Sequence, residues 1–354
     1  MQKRLKTKLS LEDFDYTLPP ELIAKAPQSP RDTSRLFVYD TKNDEVTFDV
    51  FRNIGKYLPP KTLLVFNNTK VITARLYVTK ETGGKAEILI LLNEEMVDGL
   101  AKVIADRQLP LGKKLFITPV LYFTVVRQDE QYFFLAPSFP IANLQKVLLR
   151  YGVTPLPPYI KKTPLKENEA RLKYQSVLAK YGGSVAAPTA SLHFTKRVLS
   201  KLLNQGVEKV EITLHVGMGT FAPINEGHIK SKTLFKESFE VTPEAAKRIT
   251  EAKKAGYTII PVGTTSTRTL ESIGREGVLR GGKGQTDIFI TPPFSFKVLD
   301  GLITNFHVPK SSLMMLVEAV LKSKGAKRGI LDLYTIAKRE KFRFYSFGDA
   351  MLIL

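Results

Sequence analysis

The stretch ARLYVTKETGGKAEILILL, residues 74–92, decides how the chain is organised. Apolar and polar residues alternate on both sides of Gly83-Gly84, which predicts two short strands. Three further runs of this kind, KKLFIT, LYFTVV and QYFFLA, follow before Pro137. Short strands bounded by Gly, Pro, Asp or Asn are typical of an antiparallel barrel or sandwich. We place this inserted β domain at residues 70–155.

On both sides of the insert, strands alternate with helices, which is the pattern of an α/β domain. The predicted strands are TLLVF (62–66), VEITLHV (210–216), YTIIPVG (257–263), DIFIT (287–291) and GLITNF (301–306). Helix caps are predicted at Thr195, at Thr242 and at Ser311 or Ser312. The proline-rich residues 154–165 are interpreted as a stiff linker. The main domain would then comprise residues 1–69 and 156–354.

Cysteine and histidine content limits the chemistry. The 354 residues include no cysteine, which excludes disulfides, thiolate nucleophiles and iron–sulfur clusters. The four histidines lack an HExxH spacing, so no metal site is expected.

No apolar run reaches the length of about 18 residues needed to span a membrane, and Met1–Ser10 lacks the apolar core of a signal peptide. A soluble, cytoplasmic protein is expected.

Net charge points to a polyanionic partner. Lys and Arg number 53 against 34 Asp and Glu, a formal charge of +19. Nucleic acid is the favoured partner, and a lysine-rich surface that serves only solubility is the alternative. Membrane-surface binding is disfavoured because the basic residues are spread along the chain and not gathered on one amphipathic helix.

Polar residues follow the predicted strands of the main domain. In open α/β sheets ligands bind beyond the carboxyl ends of the strands, so these segments are expected to meet in one crevice. The alternative is that loops are polar simply because they lie on the surface. The segments are Asn67-Asn68-Thr69, residues 215–220 (HVGMGT), residues 264–268 (TTSTR) and Asn305-Phe306-His307.

The segment GTTSTRTLES, residues 263–272, offers an anion site. Gly263 permits a tight turn, and the first N–H groups of the following helix attract a carboxylate or phosphate. The hydroxyls of Thr264, Thr265 and Ser266 add donors, and Arg268 could clamp the anion. An ordinary capped helix is the alternative.

Two other motifs are rejected. Residues 277–284, GVLRGGKG, lack the Ser or Thr of a P-loop and precede a strand where a P-loop must follow one, so a flexible basic loop is expected. No GxSxG motif is present, which excludes a serine hydrolase of that type. His228 is interpreted as structural.

Blocks along nearly the whole chain resemble the S-adenosylmethionine:tRNA ribosyltransferase-isomerases of queuosine biosynthesis. They include LLVFNNTKVITARL, VAAPTASLHF, TLHVGMGTF, VGTTSTRTLES, TNFHVPKSSLMMLV and FRFYSFGDAM. The resemblance implies an α/β main domain with an inserted antiparallel β-barrel domain. It also implies that the ribosyl group of S-adenosylmethionine moves to 7-aminomethyl-7-deazaguanine at the wobble position of tRNA. Isomerisation then gives epoxyqueuosine, and adenine and methionine are released.

This reaction needs a base, a donor for the leaving adenine and a site for the methionine carboxylate. His193 and His215 are the candidates for acid and base, with neither role assigned, and Glu237 is a further catalytic candidate. The residues assigned to S-adenosylmethionine are Gly263, Thr264, Thr265, Ser266, Arg268, Asn305 and His307. It is consumed as a substrate, so no cofactor is expected.

The tRNA contacts are assigned to a mixture of basic and aromatic side chains, with a solvated basic linker as the alternative. They are Tyr159, Lys161, Lys162, Arg171 and Tyr174. A monomer is expected.

The chain departs from the family pattern at three places. Leu234-Phe-Lys-Glu237 stands where members carry Met-His-Ser-Glu, so a histidine role there cannot be carried over. Ser191 and Pro293 each replace a glycine, and the basic residues 1–8 lie outside the resemblance. Two other functions stay open: an RNA-binding protein that has lost catalysis, and a small-molecule S-adenosylmethionine enzyme that ignores RNA.

Overall fold

The computed structural model describes residues 10–92, 97–160, 162–217, 224–274 and 279–354. In this part of the chain a nine-stranded sheet, a closed six-stranded barrel and a two-stranded sheet form the framework. This confirms the predicted α/β fold with an inserted antiparallel β-barrel. The domain limits at residues 70 and 155 stay a prediction.

The strands, in chain order, are β1 (Arg35–Asp40), β2 (Glu45–Val50), β3 (Thr62–Asn67), β4 (Thr69–Val71), β5 (Arg75–Lys80), β6 (Lys85–Ile90), β7 (Ala101–Ala105), β8 (Lys114–Phe116), β9 (Tyr122–Asp129), β10 (Tyr132–Pro137), β11 (Tyr181–Ser184), β12 (Glu208–Leu214), β13 (Thr233–Val241), β14 (Thr258–Val262), β15 (Gly282–Ile288), β16 (Leu302–Asn305) and β17 (Ala350–Ile353). The α-helices are α1 (Leu144–Tyr151), α2 (Glu167–Lys173), α3 (Lys196–Asn204), α4 (Glu226–Ser231), α5 (Pro243–Lys254), α6 (Thr264–Ile273), α7 (Ser312–Ser323) and α8 (Ile330–Arg339). Short 3-10 helices span Leu11–Phe14, Pro20–Leu22, Arg31–Thr33, Phe51–Lys56, Val97–Gly99, Ile141–Asn143 and Thr189–His193.

The large sheet has the order β15-β13-β12-β3-β14-β16-β17-β1-β2. Its centre is parallel, because β3 pairs in parallel with β12 and β14, and β14 pairs in parallel with β16. Parallel strands covered on both faces are expected to be apolar throughout, and every residue of β3 is buried. The parallel centre places the carboxyl ends of β12, β3, β14 and β16 at one edge.

Helices cover both faces of this sheet. Leu64 and Phe66 pack with α3 on one face, and Leu63 and Val65 pack with α5 and α6 on the other. The alternation follows from the two-residue period of a strand. Caps at Thr195, Thr242 and Ser311 accept hydrogen bonds from N–H groups of the first turns of α3, α5 and α7, which confirms the predicted helix starts.

The insert closes into a barrel of order β10-β7-β6-β5-β8-β9. Inward residues such as Leu76, Ile88 and Phe123 are fully buried, and α1 contributes Leu144 and Leu148 to the same core. The five predicted runs correspond to five of the strands. The strand β7 was missed, although its inward residues alternate in AKVIA.

The structure adds contacts to one local prediction and contradicts another. The predicted linker is packed against the core, with Leu156 and Ile160 in an apolar cluster and the Leu156 carbonyl accepting from Arg75 Nη2 at 2.9 Å. Residues 282–284, expected to be loop, belong to β15 because they pair with the edge of β13. Residues 277 and 278 of that segment lie outside the described residues.

Candidate active site

A cavity of about 410 Å³ opens at the carboxyl edge of the parallel strands. Its lining includes nine residues predicted for the site or for substrate binding: Tyr159, Tyr174, Glu237, Gly263, Thr264, Thr265, Arg268, Asn305 and His307. Separate segments of the sequence therefore meet here, as the strand-end rule predicts.

The start of α6 forms one wall. Gly263 has φ +92°, a backbone conformation that favours glycine, and it leaves the first turn without a side-chain cap. The hydroxyl of Thr265 is buried with no hydrogen-bond partner among the described residues. The Ser266 hydroxyl instead donates to the Val262 carbonyl at 3.1 Å, so Ser266 does not face the cavity. Unpaired N–H groups and the hydroxyl of Thr265 suit an anion.

A buried ion pair lies beside this helix start. Arg268 Nη1 donates to Glu237 Oε2, and both side chains are buried. Glu237 Oε1 accepts from the Gly217 backbone N–H at 3.1 Å. Nε and Nη2 of Arg268 are buried with no partner in the described part of the chain. Because buried guanidinium groups are usually hydrogen-bonded, the unpaired donors on Nε and Nη2 are available to an anionic ligand.

Asn305 and His307 form the opposite wall. Asn305 Nδ2 donates to the Tyr345 carbonyl at 3.0 Å, while its Oδ1 is buried without a partner among the residues described. Burial lowers the pKa of His307 to about 3, so its imidazole is neutral at pH 7. Neutral imidazole has one donor and one acceptor, which suits recognition of a heterocycle or a hydroxyl.

Two candidate catalytic histidines lie outside the cavity lining. His193 is buried, with Nδ1 2.8 Å from Ser34 Oγ, and burial lowers its pKa to about 4. His215 is half-buried, with Nδ1 2.9 Å from Thr69 Oγ1, and burial lowers its pKa against an opposing effect of Glu240. Glu237 is the one candidate catalytic residue whose side chain lines the described cavity.

The buried histidines predict acid sensitivity. His193 and His307 have folded-state pKa values near 4 and 3, below the ordinary 6.5. Between each of these values and pH 6.5, the unfolded state therefore binds more protons than the folded state. Their contribution to stability is complete above pH 6.5 and is lost as pH falls towards 4. We expect each to lower the free energy of unfolding by about 1.4 kcal/mol per pH unit in the middle of this range.

Urea unfolding between pH 7 and pH 4 measures this slope. The variant His193→Asn should show a shallower pH dependence of the free energy of unfolding than the wild type. An unchanged slope in His193→Asn would contradict the assigned pKa shift.

The side chains predicted to contact tRNA are not brought together on the surface. Tyr174 is 1% exposed, and Tyr159 hydroxyl lies 2.7 Å from Ser346 Oγ inside the cavity wall, where burial raises its pKa to about 12. Arg171 pairs with Glu167 and donates to two backbone carbonyls. Lys162 is exposed, and Lys161 lies outside the described residues. Tyr174 is therefore not exposed to stack on a base at the surface, whereas Tyr159 lines the cavity.

Several cavity residues were missed by the sequence reasoning. Phe235, Tyr345 and Ser346 line the cavity, and so does Leu11 from the N-terminal 3-10 helix. Lys310 fixes that helix through ion pairs with Glu12 at 2.8 Å and Asp15 at 3.1 Å. No local pattern predicts these contacts, because the residues are far apart in sequence.

Comparison with known proteins identifies the family. A family model described as "Queuosine biosynthesis protein" matches residues 11–353. The chain belongs to this family. Among its members, the S-adenosylmethionine:tRNA ribosyltransferase-isomerase of Carboxydothermus hydrogenoformans is 45% identical over 347 residues, covering 98% of this chain and 100% of the relative. The protein of the same name from Thermotoga maritima is 42% identical over 349 residues, again covering 98% and 100%.

A solved structure supports the same family assignment. The crystal structure of S-adenosylmethionine tRNA ribosyltransferase from Thermotoga maritima matches with a TM-score of 0.55 and 34% identity, covering 97% of this chain and all of that one. Within the described residues, no helix is long and apolar enough to cross a membrane.

Proposed function

We propose that this family member is an S-adenosylmethionine:tRNA ribosyltransferase-isomerase. It moves the ribosyl group of S-adenosylmethionine onto 7-aminomethyl-7-deazaguanine at the wobble position of tRNA and isomerises it to epoxyqueuosine. Adenine and methionine leave. The observation that carries the proposal is the cavity in which buried Glu237 and Arg268 adjoin the uncapped start of α6.

The donor binds across this cavity. Its methionine carboxylate is held by Nε and Nη2 of Arg268, the Thr265 hydroxyl and the first N–H groups of α6, all of which lack partners among the described residues. The adenine and ribose lie against Asn305 and His307 on the opposite wall. A protein that only binds RNA would have no need of this buried anion site.

Glu237 serves as the general base. A sulfonium acidifies the neighbouring ribose carbon, and the base must reach that carbon from the cavity wall. Glu237 lines that wall, and Arg268 and the Gly217 N–H hold its carboxylate in one orientation. His307 is neutral, with Nε2 3.2 Å from Thr304 Oγ1, and it orients the leaving adenine, which takes up the proton that Glu237 removed from ribose. The enzyme uses no resident cofactor or metal and works as a cytoplasmic monomer.

An assay with both substrates tests this function. The enzyme is incubated with S-adenosylmethionine and tRNA bearing 7-aminomethyl-7-deazaguanine, and the nucleosides are analysed by mass spectrometry. Free adenine and a modified wobble nucleoside are expected, with neither formed on tRNA that carries guanine at this position. Absence of adenine release from enzyme that binds both substrates would overturn the proposal.

Binding of tRNA should weaken steeply as salt rises. The net charge of +19 is matched by phosphates, and each phosphate contact releases counterions. A plot of log affinity against log salt should have a slope of about −0.9 per contact in duplex RNA and about −0.7 in single strands, and so several units in total. Filter binding between low and physiological salt measures it, and a slope near zero would contradict electrostatic binding.

A further inference from the structure

An exposed basic strip lies next to the cavity and has no role in the chemistry above. It consists of Lys70 on β4, Lys180, and Tyr181 and Gly182 at the start of β11, all of them exposed. The two strands pair in parallel, with Gly182 opposite Lys70, so the four residues share one small surface.

The side chains of the strip are available to a ligand. Tyr181 is 47% exposed, and Lys180 Nζ lies 5.0 Å from the centre of its ring. In the described part of the chain, neither Lys70 nor Lys180 pairs with a carboxylate. An exposed aromatic ring beside two ammonium groups that lack carboxylate partners matches a base and its flanking phosphates.

Hydrogen bonds connect the strip to the cavity wall. Val216 lines the cavity, its N–H donates to Ser184 Oγ at 2.7 Å, and its carbonyl accepts from the Val185 N–H at 3.0 Å. Ser184 is the last residue of β11, so the strip and the wall are joined directly.

His215 lies between the strip and the cavity. Its ring packs on Gly183, where a Cβ would come within 2.8 Å of Nδ1, so only glycine fits at this position. Since the neighbouring Val216 faces the cavity, the period of an extended chain turns His215 to the strip side. A strand of RNA lying on the strip would therefore reach the cavity mouth.

We propose that this strip binds the single-stranded anticodon loop of tRNA, with one base stacked on Tyr181 and the adjoining phosphates held by Lys70 and Lys180. This inference rests on the proposed function, because it assumes that tRNA is the substrate. Tyr181 would supply the exposed aromatic contact to RNA that the buried Tyr174 does not offer.

The test compares tRNA affinity and salt dependence in matched variants. Tyr181→Ala should raise the Kd for tRNA about 5- to 150-fold, the equivalent of one lost stacking interaction, and Tyr181→Phe should restore it. The double variant Lys70→Gln/Lys180→Gln should reduce the salt slope by about 1.4 to 1.8. The Kd for S-adenosylmethionine should not change in any of them.

Control variants remove similar groups elsewhere. Tyr77→Ala changes a tyrosine that is 61% exposed on the barrel, and Lys61→Gln/Lys247→Gln changes exposed lysines at the opposite edge of the sheet and on α5. These should leave tRNA affinity within a few-fold of the wild type.

Each outcome has one meaning. If the wild type binds tRNA and the strip variants behave like the controls, the strip proposal is overturned and the proposed function stands. Loss of affinity in Tyr77→Ala alone would place the RNA on the barrel. If the wild type fails to bind tRNA, both proposals fall.

Discussion

The substitution Glu237→Gln is expected to lower kcat about 100- to 10,000-fold, the usual contribution of a general base. Glutamine keeps the shape of the side chain, but its single carbonyl oxygen can accept from only one of Arg268 and the Gly217 N–H, and its amide cannot take a proton from ribose. The KM for S-adenosylmethionine should stay level or fall, because Arg268 loses its competing carboxylate. Initial rates under single-turnover conditions separate this loss from product release.

The Glu237→Gln variant needs a control for lost stability, because removing one partner of a buried ion pair lowers the free energy of unfolding by about 3–5 kcal/mol. Glu271 provides it. Glu271 lies on α6, and its carboxylate is buried like that of Glu237. It accepts hydrogen bonds from the backbone N–H groups of Lys297, Val298 and Leu299, and it lies outside the cavity lining. Glu271→Gln should lower the thermal midpoint but leave turnover per folded enzyme within a few-fold of normal. Equal turnover in Glu237→Gln and Glu271→Gln would show that Glu237 is not the base. A histidine would then be the candidate, and His215→Asn the next variant to assay.

The substitution Arg268→Ala is expected to raise the Kd and KM for S-adenosylmethionine about 10- to 150-fold, the value of a charge-assisted hydrogen bond of about 1.5–3 kcal/mol. Affinity for tRNA should be nearly unchanged. The unfolding free energy should also fall, since Glu237 is left buried without its cation. Isothermal titration of the folded variant with each substrate measures the affinity for S-adenosylmethionine and for tRNA separately from the loss of stability.

Arg248→Ala is the control for this variant. Arg248 forms an ion pair of 2.5 Å with Glu208 on α5 and β12, and its side chain is 32% exposed, away from the cavity lining. Its loss should change neither Kd. If Arg268→Ala abolishes tRNA binding and leaves the donor unaffected, Arg268 belongs to the RNA site.

The location of the site follows from sequence because one rule governs it. Parallel strands bring their carboxyl ends to the same edge, so the polar residues after β14 and β16 had to meet. Gly263 and Arg268 were predicted for the same reason, since a glycine followed by hydroxyl residues marks a helix start that attracts anions. These are local signals, and they need no knowledge of distant contacts.

The parts that could not be predicted depend on which way a side chain faces. His215 and Val216 are adjacent, and only the second faces the cavity. Tyr174 was assigned to RNA although it directly follows α2, four residues after the buried Ala170, and its N–H bonds to the Ala170 carbonyl, so its side chain is buried on the same side as Ala170 while Leu172 is exposed. The histidines were favoured as bases for their ordinary pKa, which burial removes in His193.

The contact between Arg268 and the methionine carboxylate is the central claim, and binding of decarboxylated S-adenosylmethionine tests it most directly. This analogue keeps the adenine, the ribose and the sulfonium. The wild type should bind it about 10- to 150-fold more weakly than S-adenosylmethionine, and in Arg268→Ala this preference should be much smaller, because only the Thr265 hydroxyl and the first N–H groups of α6 remain to hold the carboxylate. If the preference for the carboxylate persists unchanged in Arg268→Ala, the carboxylate lies elsewhere and the proposed orientation of the donor is contradicted.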